Sequence, residues 1–195
     1  MMNATTRLAM LAISGNRSGD SWIAGSMILA DFLDRVPNDI DIHHASGNAL
    51  SDAFDRDLRS LIRAGFKVSS FLQLENELEV KFKRLGTAVV LNWVIETGET
   101  PQLVADRELG TRLTLAEVLA YKVARFKEDP LSKHGEDLRA LLPLRRQRIP
   151  EFMSLGILDI GPVEREQERS GNSTSRPAPE EPSADADVKL LSDRT

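Results

Sequence analysis

Acidic and apolar residues alternate at Asp39-Ile40-Asp41-Ile42, and this is the most informative pattern along the chain. A period of two predicts a half-buried strand, with both isoleucines toward a core and both aspartates on the opposite face. The backbones of the two aspartates would then be roughly 6–7 Å apart. This spacing lets both carboxylates bind one divalent cation, or a pair of cations about 3.5–4 Å apart.

A Gly-Ser pair, Gly25-Ser26, precedes this strand and follows the short apolar run at residues 22–24. The segment after the pair is predicted to be an amphipathic helix, with one apolar face formed by Met27, Ile28, Phe32 and Leu33. The helix should end at Pro37 and Asn38. A glycine lets a phosphate approach the backbone closely, and the serine adds a hydroxyl to the amides at the helix start. A nucleoside triphosphate with bound Mg²⁺ needs such amides and nearby carboxylates together.

Apolar residues recur at helical spacing in three further segments, residues 3–13, 51–64 and 114–126. The first helix should bury Leu8, Leu11 and Ala12. Ser51 is the predicted N-cap of the second helix. Its buried stripe is predicted to be Phe54, Leu58, Leu61 and Ile62. Thr114 and Glu117 have the spacing of a capping box at the start of the third helix.

Residues 77–96 alternate in a way that predicts a β-hairpin with its turn at Leu85-Gly86. One face of the second arm would carry Val89, Leu91, Trp93 and Ile95. The opposite face would carry Val90, Asn92, Val94 and Glu96. Residues 99–112 are predicted to be a loop, because they contain Pro101 and Gly110. Together these elements predict an α/β (α+β) fold, a mixed β-sheet with flanking helices and a helical C-terminal part.

The composition indicates one globular domain with an acidic tail. The 195 residues are 41% apolar and 28% charged, which is ordinary for a globular protein, and no apolar run is long enough to span a membrane. The domain is predicted at residues 1–158, with its core at 20–142. Residues 159–195 are rich in Pro, Ser, Glu and Asp and are predicted to be disordered. The absence of cysteine excludes disulfides and weakly favours the cytoplasm.

The net charge of −5 does not point to nucleic-acid binding by the whole molecule, so any such contact would need a local basic patch. The most basic region of the sequence consists of Lys133, Arg139, Arg145, Arg146 and Arg148. A second group, on the predicted helix at 51–64, consists of Arg56, Arg59 and Arg63. For this second group an ordinary solvated helix face is the simpler interpretation.

A Gly-Ser pair, twelve intervening residues and an Asp-apolar-Asp-apolar strand together resemble the signature of the nucleotidyltransferase superfamily. The wider context is similar to its minimal AbiEii-type branch, the toxin components of type IV toxin–antitoxin systems, over about residues 20–142. The resemblance implies that Gly25 and Ser26 hold a triphosphate. It also implies that Asp39 and Asp41 are catalytic residues that bind Mg²⁺, as one ion or two.

Two later segments resemble further motifs of this family. Lys122 matches a lysine that approaches the phosphates or the metal, and Asp137 matches an aspartate that follows a basic residue at a helix start. The resemblance makes both residues catalytic, whereas the residues alone equally allow a solvent-exposed lysine and a helix-stabilising acid. The family's third carboxylate falls here at Asn92, which cannot act as a base. Glu96 has the same parity but lies four residues farther along.

The resemblance therefore implies a Mg²⁺-dependent enzyme that transfers a nucleotide from a nucleoside triphosphate to an RNA or to a protein hydroxyl. In some members of the family the RNA is a tRNA 3′ end, and a cognate antitoxin is an implied partner. Asn92 leaves open a nucleotide- or RNA-binding module without turnover. A third possibility is a partner-binding protein that uses the acidic tail. His43 shares the aspartate face by parity and is either a plain strand-end residue or a substrate contact.

Overall fold

The computed structural model describes residues 2–33, 35–37, 39–99 and 101–147, with side chains through residue 144. Within these ranges one seven-stranded sheet is flanked by helices. The strands are β1 Ser21–Ala24, β2 Asp39–His44, β3 Lys67–Gln73, β4 Glu77–Arg84, β5 Thr87–Ile95, β6 Leu103–Asp106 and β7 Gly110–Leu113. The α-helices are α1 Ala4–Ile13, α2 Gly47–Arg63, α3 Leu115–Glu128 and α4 Lys133–Leu141. The predicted tail at 159–195 lies outside the described residues.

Strand β2 lies at the middle of the sheet, whose order is β3-β4-β5-β2-β1-β7-β6. It pairs antiparallel with β1 and parallel with β5, so the sheet is mixed, as predicted. Ile40 and Ile42 are fully buried, whereas Asp39 and Asp41 lie on the opposite face and are half-buried. The alternating sequence therefore forms the predicted strand, with the predicted two faces.

The hydrophobic core lies between the apolar face of the sheet and helices α1 and α2. Its central members are Met10, Ile13, Ile40, Ile42, Leu61, Leu91 and Trp93. Full burial of one such side chain stabilises the fold by about 1.5–3 kcal/mol. Because a one-residue slip would turn the isoleucines to the other face, this core sets the register of β2 and the positions of its two aspartates. None of the helices in the described ranges is long and apolar enough to cross a membrane.

Strands β4 and β5 form the predicted hairpin. The turn residues Leu85 and Gly86 have φ values of 49° and 83°. Two consecutive residues with positive φ are typical of the two-residue turns that match the twist of antiparallel strands. The tight turn sets the register across the hairpin and places Glu79 opposite Asn92.

A buried ion pair joins α2 to β5 and to the loop after α1. Arg17 Nη2 donates to both carboxylate oxygens of Asp57, at 2.5 and 2.6 Å, and neither side chain is exposed. Asn16 Nδ2 and the indole N–H of Trp93 donate to the same carboxylate at 2.8 and 2.9 Å. Each oxygen of Asp57 thus accepts two hydrogen bonds, which offsets the cost of burying its charge.

The segment after the Gly-Ser pair is a short 3-10 helix, Gly25–Leu29, so the predicted amphipathic α-helix over residues 27–33 is wrong. Its hydrogen bonds join residues three positions apart, such as the bond from the Ala30 N–H to the Met27 carbonyl at 3.2 Å. Residues 26–30 are all buried. An amphipathic helix needs a polar face toward water, and this segment is enclosed on every side. A 3-10 helix of five residues also supplies much less helix dipole than a long helix would.

Residues 99–112 are not a loop, because they contain strands β6 and β7. These strands pair antiparallel, and β7 also pairs parallel with β1. In the turn, Asp106 Oδ1 accepts from the N–H groups of Glu108 and Leu109 at 2.9 and 3.0 Å. Each strand has four residues and only partial burial, so the sequence carries little alternation to reveal them.

The helices are present where predicted, but their faces and caps differ. Helix α1 buries Ala9, Met10 and Ile13 and leaves Leu11 exposed. Helix α2 begins at Gly47, because the hydroxyl of Ser46, and not of Ser51, accepts from the Ala49 N–H at 3.2 Å. Its buried face is Leu50, Ala53, Asp57 and Leu61, so Ile62 is exposed.

Thr114 caps α3 as predicted, while the Glu117 carboxylate accepts from the Gln102 N–H and leaves the capping box incomplete.

Candidate active site

The Gly-Ser pair and the aspartate strand are in direct contact. Gly25 has a φ of 67°, in the left-handed region that glycine adopts without steric cost. A Cβ at this position would lie 2.0 Å from Asp41 Oδ2 and 2.9 Å from its Cγ. Because a side chain does not fit there, the backbone of the pair lies against one carboxylate of β2.

The two aspartates form a half-buried site of concentrated negative charge. Burial and the nearby Asp39 carboxylate raise the pKa of Asp41. Lys133, at the start of α4, brings its Nζ to 3.5 Å from Asp39 Oδ2. Two carboxylates that repel each other in a partly desolvated site are stabilised by a cation that binds both.

Asn92 lies beside Asp41, at the position predicted for the third carboxylate. The two residues are partners in the parallel pairing of β2 and β5, and Asn92 Nδ2 donates to Asp41 Oδ1 at 3.1 Å. Asn92 Oδ1 is buried and accepts no hydrogen bond. Among the described residues, His, Cys, Asp and Glu form no group of three that could bind a metal. Two carboxylates and this amide oxygen are nevertheless hard oxygen donors of the kind that Mg²⁺ uses together with water.

Glu96 does not replace the missing carboxylate. Its Oε2 lies 2.6 Å from Nδ1 of His43, so it contacts the histidine and not the aspartate pair. The register agrees with the sequence-based interpretation, which left Glu96 too far along the strand. His43 is on the aspartate face, as its parity predicts, with a partly exposed ring.

A cluster of charged side chains surrounds Ser26. Lys122 Nζ lies 2.6 Å from Asp137 Oδ2 and 3.2 Å from Ser26 Oγ. Arg35 donates from Nε and Nη2 to both oxygens of Asp137 at 2.7 and 2.8 Å, and from Nη2 to Ser26 Oγ at 3.0 Å. The Ser26 hydroxyl in turn donates to Asp137 Oδ2 at 3.1 Å. Helices α3 and α4 and the loop before β2 thus converge on the serine of the Gly-Ser pair.

The cluster around Ser26 carries an excess of positive charge. Burial lowers the pKa of Lys122, although its contact with Asp137 opposes that shift. Burial would raise the pKa of Asp137, but hydrogen bonds from Arg35 and Lys122 outweigh it and lower that pKa. Two cations share one carboxylate, so the charged groups that contact Ser26 sum to +1, while the Asp41 carboxylate lies on the other side, against Gly25. Such a site suits an anion.

The structure brings together the residues that were predicted to bind phosphate or metal or to be catalytic. Gly25 adjoins Asp41 on β2, and Ser26 adjoins Lys122 and Asp137. Lys122 is almost fully buried, so a solvent-exposed position for it is wrong. Asp137 is buried in an ion pair and is more than a helix-stabilising acid. The catalytic and metal-binding roles of these residues remain predictions.

The sequence did not single out Arg35. It lies nine residues after Ser26 in a segment without periodicity, and its role arises only because the chain folds back onto Ser26. Asp57 was also missed, and here a signal existed. Asp57 falls on the buried stripe of α2, between apolar residues at helical spacing.

The fold is shared with solved proteins. JHP933 from Helicobacter pylori aligns with 80% of this chain and 73% of its own at 13% identity, with a TM-score of 0.57. A candidate nucleotidyltransferase from H. pylori aligns with 78% of this chain and 72% of its own at 13% identity, with a TM-score of 0.56. The Megavirus polyadenylate synthase aligns with 80% of this chain and 36% of its own at 10% identity, and its TM-score of 0.49 is too low to establish a shared fold.

No protein-family model matches the sequence, and no curated protein matches it. The structural likeness, at 13% identity, shows a shared fold. It does not single out the AbiEii-type branch.

Proposed function

We propose that this protein is a Mg²⁺-dependent nucleotidyltransferase, which transfers a nucleotide from a nucleoside triphosphate to an acceptor hydroxyl. The observation that carries the proposal is the contact between Gly25 and the Asp41 carboxylate. It joins the partly exposed backbone of Gly25 with a pair of carboxylates suited to a metal, and a Mg²⁺-bound triphosphate needs both within a few ångströms.

Each residue of the site has a role in this proposal. The backbone of Gly25-Ser26 and the Ser26 hydroxyl would hold the phosphates, and Lys122 would neutralise their charge. Asp39 and Asp41, with the free Oδ1 of Asn92, would hold Mg²⁺. When bound, that ion would offset the charge that develops on the phosphates and on the departing pyrophosphate. Asp137 and Arg35 would position Lys122 and Ser26.

The experiment that tests the proposal is transfer of label from each of the four α-labelled ribonucleoside triphosphates into cellular RNA or protein. We expect Mg²⁺-dependent labelling by the wild type and none by Asp39→Asn. Asp55→Asn is the matched control, because Asp55 is an exposed acid on α2. Equal labelling by wild type and Asp39→Asn would refute the assignment of the site.

A second candidate function is nucleotide binding without turnover. The observation that favours it is Asn92, because an amide cannot accept the proton of an acceptor hydroxyl or add negative charge to a metal site. Under this alternative, the wild type binds Mg²⁺ and a nucleotide but labels nothing. Labelling that appears only in Asn92→Asp would support it, and labelling by the wild type would exclude it.

The acceptor and the cellular role are open to proposal as well. The motifs resemble those of toxin components, which favours an RNA or protein acceptor and a cognate antitoxin as partner. Growth arrest on expression of the wild type, relieved by Asp39→Asn, would support the toxin role. Normal growth with full labelling activity would argue against it.

A further inference from the structure

We propose that the open face of strands β3, β4 and β5 binds the phosphate backbone of a single-stranded nucleic acid through Lys67, Lys81 and Lys83. The inference rests on the proposed function, because it names the acceptor for that site. Transfer requires an acceptor hydroxyl next to Asp39 and Asp41. The end of a nucleic acid strand offers such a hydroxyl together with a phosphate at each following nucleotide.

The strand register places the three lysines on the same sheet face as the aspartates. Asp39 is opposite Val90, and Val90 is opposite Lys81. Lys83 follows two residues closer to the hairpin turn and is directly opposite Lys67. With strands about 4.8 Å apart and a rise of about 3.4 Å per residue, the Cα atoms of Asp39 and Lys83 are about 12 Å apart. A few nucleotides would span this distance.

The pairing of Lys67 with Lys83 is unfavourable in the protein alone. Like charges directly opposite each other on antiparallel strands repel. All three lysines are exposed, and in the described part of the chain none of them forms an ion pair. A bound phosphate would relieve this repulsion.

A cleft lies beside this lysine pair, at the end of the β4–β5 hairpin. It has a volume of about 470 Å³ and is lined by Gly65, Lys67, Lys83, Arg84, Leu85 and Gly86. The described lining contains no carboxylate. Arg84 Nε donates to the Ala64 carbonyl at 3.0 Å, which holds this side chain in place, and its charge adds to those of Lys67 and Lys83. The cleft therefore favours a phosphate group over a neutral ligand.

Acidic and basic side chains occupy different ends of this face. A bound nucleic acid would therefore have one preferred direction across the sheet. Glu79 is opposite Asn92 and Glu77 is opposite Val94, so the acids lie on the side away from the hairpin turn. The lysines lie on the side toward it. A polyanion whose end is at Asp39 would run over Lys81 to the Lys67–Lys83 pair and away from the glutamates.

This surface differs from the basic region that the sequence suggested. Arg139 donates to the Pro130 carbonyl at 3.3 Å and is partly buried. The side chains of Arg145, Arg146 and Arg148 lie outside the described residues. Of the two described side chains in that group, Lys133 is the one that approaches the site, where it contacts Asp39. Lys81 and Lys83 are neighbours on one face of β4, and strand pairing brings Lys67 opposite Lys83.

The test is fluorescence anisotropy of a short labelled single-stranded RNA titrated with the full-length protein at several salt concentrations. The variant is Lys67→Gln/Lys83→Gln, and the control is Arg59→Gln/Arg63→Gln. The control removes the same charge from exposed positions on α2, which packs against the other face of the sheet. We expect the lysine variant to bind the RNA about tenfold more weakly, with a salt slope smaller by about 1.4, which is the value for two lost phosphate contacts. The control should match the wild type.

Binding of Mg²⁺ and nucleotide, measured on the same two variants, separates this inference from the proposed function. Unchanged nucleotide binding with weakened RNA binding supports the lysine surface. If the wild type binds no nucleotide, the proposed function is refuted. The RNA titrations of the lysine variant and its control then decide whether the lysine surface binds RNA. The inference would be overturned if the control lost as much RNA affinity as the lysine variant, or if the lysine variant bound RNA as tightly as the wild type. Binding of polyglutamate with the same dependence on the two lysines would overturn its assignment to nucleic acid.

Discussion

Two buried carboxylates of this protein, Asp57 and Asp137, have opposite kinds of surroundings. Asp57 has one cation, Arg17, and four hydrogen bonds that saturate both of its oxygens. Asp137 is shared by two cations, Lys122 and Arg35, and by the Ser26 hydroxyl. The charges around Asp57 sum to zero, whereas those around Asp137 sum to +1.

Asp57 and Asp137 also differ in where they lie in the fold. The Asp57 network lies against Trp93 in the core, and the side chains of Asp57 and Arg17 are fully buried. The Asp137 cluster adjoins Ser26, and the preceding Gly25 contacts the half-buried carboxylate of Asp41. Burial of charge therefore does not by itself indicate function. An unbalanced charge beside a partly exposed backbone, here that of Gly25, is the better indicator, because it leaves a preference for an anion.

The largest effect is expected from Asp57→Asn. It leaves the Arg17 guanidinium buried without a counter-charge, which costs about 3–5 kcal/mol of unfolding free energy. Denaturant titration measures this loss, with Asp55→Asn on the same helix as the control. Nucleotide affinity of the protein that remains folded should not change. A variant as stable as the wild type would show that the Asp57 pair contributes little.

Gly25→Ala should be the next most severe change. The new Cβ would meet Asp41 Oδ2 at 2.0 Å, and the left-handed backbone costs a non-glycine residue about 1–2 kcal/mol. We expect a loss of at least about 2 kcal/mol in stability and loss of nucleotide binding. Gly15→Ala is the control, because a Cβ there would meet nothing within 4 Å. Normal nucleotide binding by Gly25→Ala would separate the Gly-Ser pair from the site.

His44 should make the region around Asp57 sensitive to acid. Burial and the nearby Arg17 lower its pKa from 6.5 to about 3. Between pH 6.5 and pH 3, His44 is therefore protonated in the unfolded chain but not in the folded chain. The free energy of unfolding falls as the pH drops through this range. At pH 5 the loss is about 2 kcal/mol relative to pH 7.

Denaturant titrations of the wild type and His44→Gln over this range isolate the effect. Glutamine takes up no proton, so the difference between the two curves reports His44 alone. The wild type should lose stability more steeply than the variant between pH 6.5 and pH 4. Parallel curves would show that His44 does not titrate as its buried position requires.

Lys122→Met should weaken nucleotide binding with a smaller cost in stability. The variant loses one of the two cations that contact Ser26, but Asp137 keeps both hydrogen bonds from Arg35. We expect at least a tenfold loss of nucleotide affinity, about 1.4 kcal/mol. Calorimetry of Lys122→Met and of the exposed control Lys127→Met measures it. If Lys122→Met lost as much stability as Asp57→Asn but kept its full nucleotide affinity, the role of Lys122 would be structural, like that of Arg17.

The sequence predicted the central strand and the hairpin because both have strong local signals. Alternation placed Asp39 and Asp41 on one face, and the Leu85-Gly86 turn set the β4–β5 register, in which Glu79 is opposite Asn92. The motif resemblance supplied Lys122 and Asp137, whose spacing alone is equally typical of a surface helix.

What the sequence did not reveal depends on contacts between distant segments. Arg35 gains its role only when α4 packs beside it, and no periodic pattern marks it. The 3-10 helix after Gly25 is enclosed by the rest of the fold, which no local apolar pattern records. The opposition of Lys67 and Lys83 arises from strand pairing, and the lysines look like ordinary surface residues in the sequence.

The most direct measurement is isothermal titration of each ribonucleoside triphosphate into the full-length protein, with Mg²⁺ and then with EDTA. The account predicts binding of at least one nucleotide in Mg²⁺, its loss in EDTA, and its loss in Asp39→Asn but not in Asp55→Asn. Binding that is equally strong in EDTA, or no binding of any of the four in Mg²⁺, would contradict the assignment of Gly25, Ser26, Asp39 and Asp41 to a metal–nucleotide site.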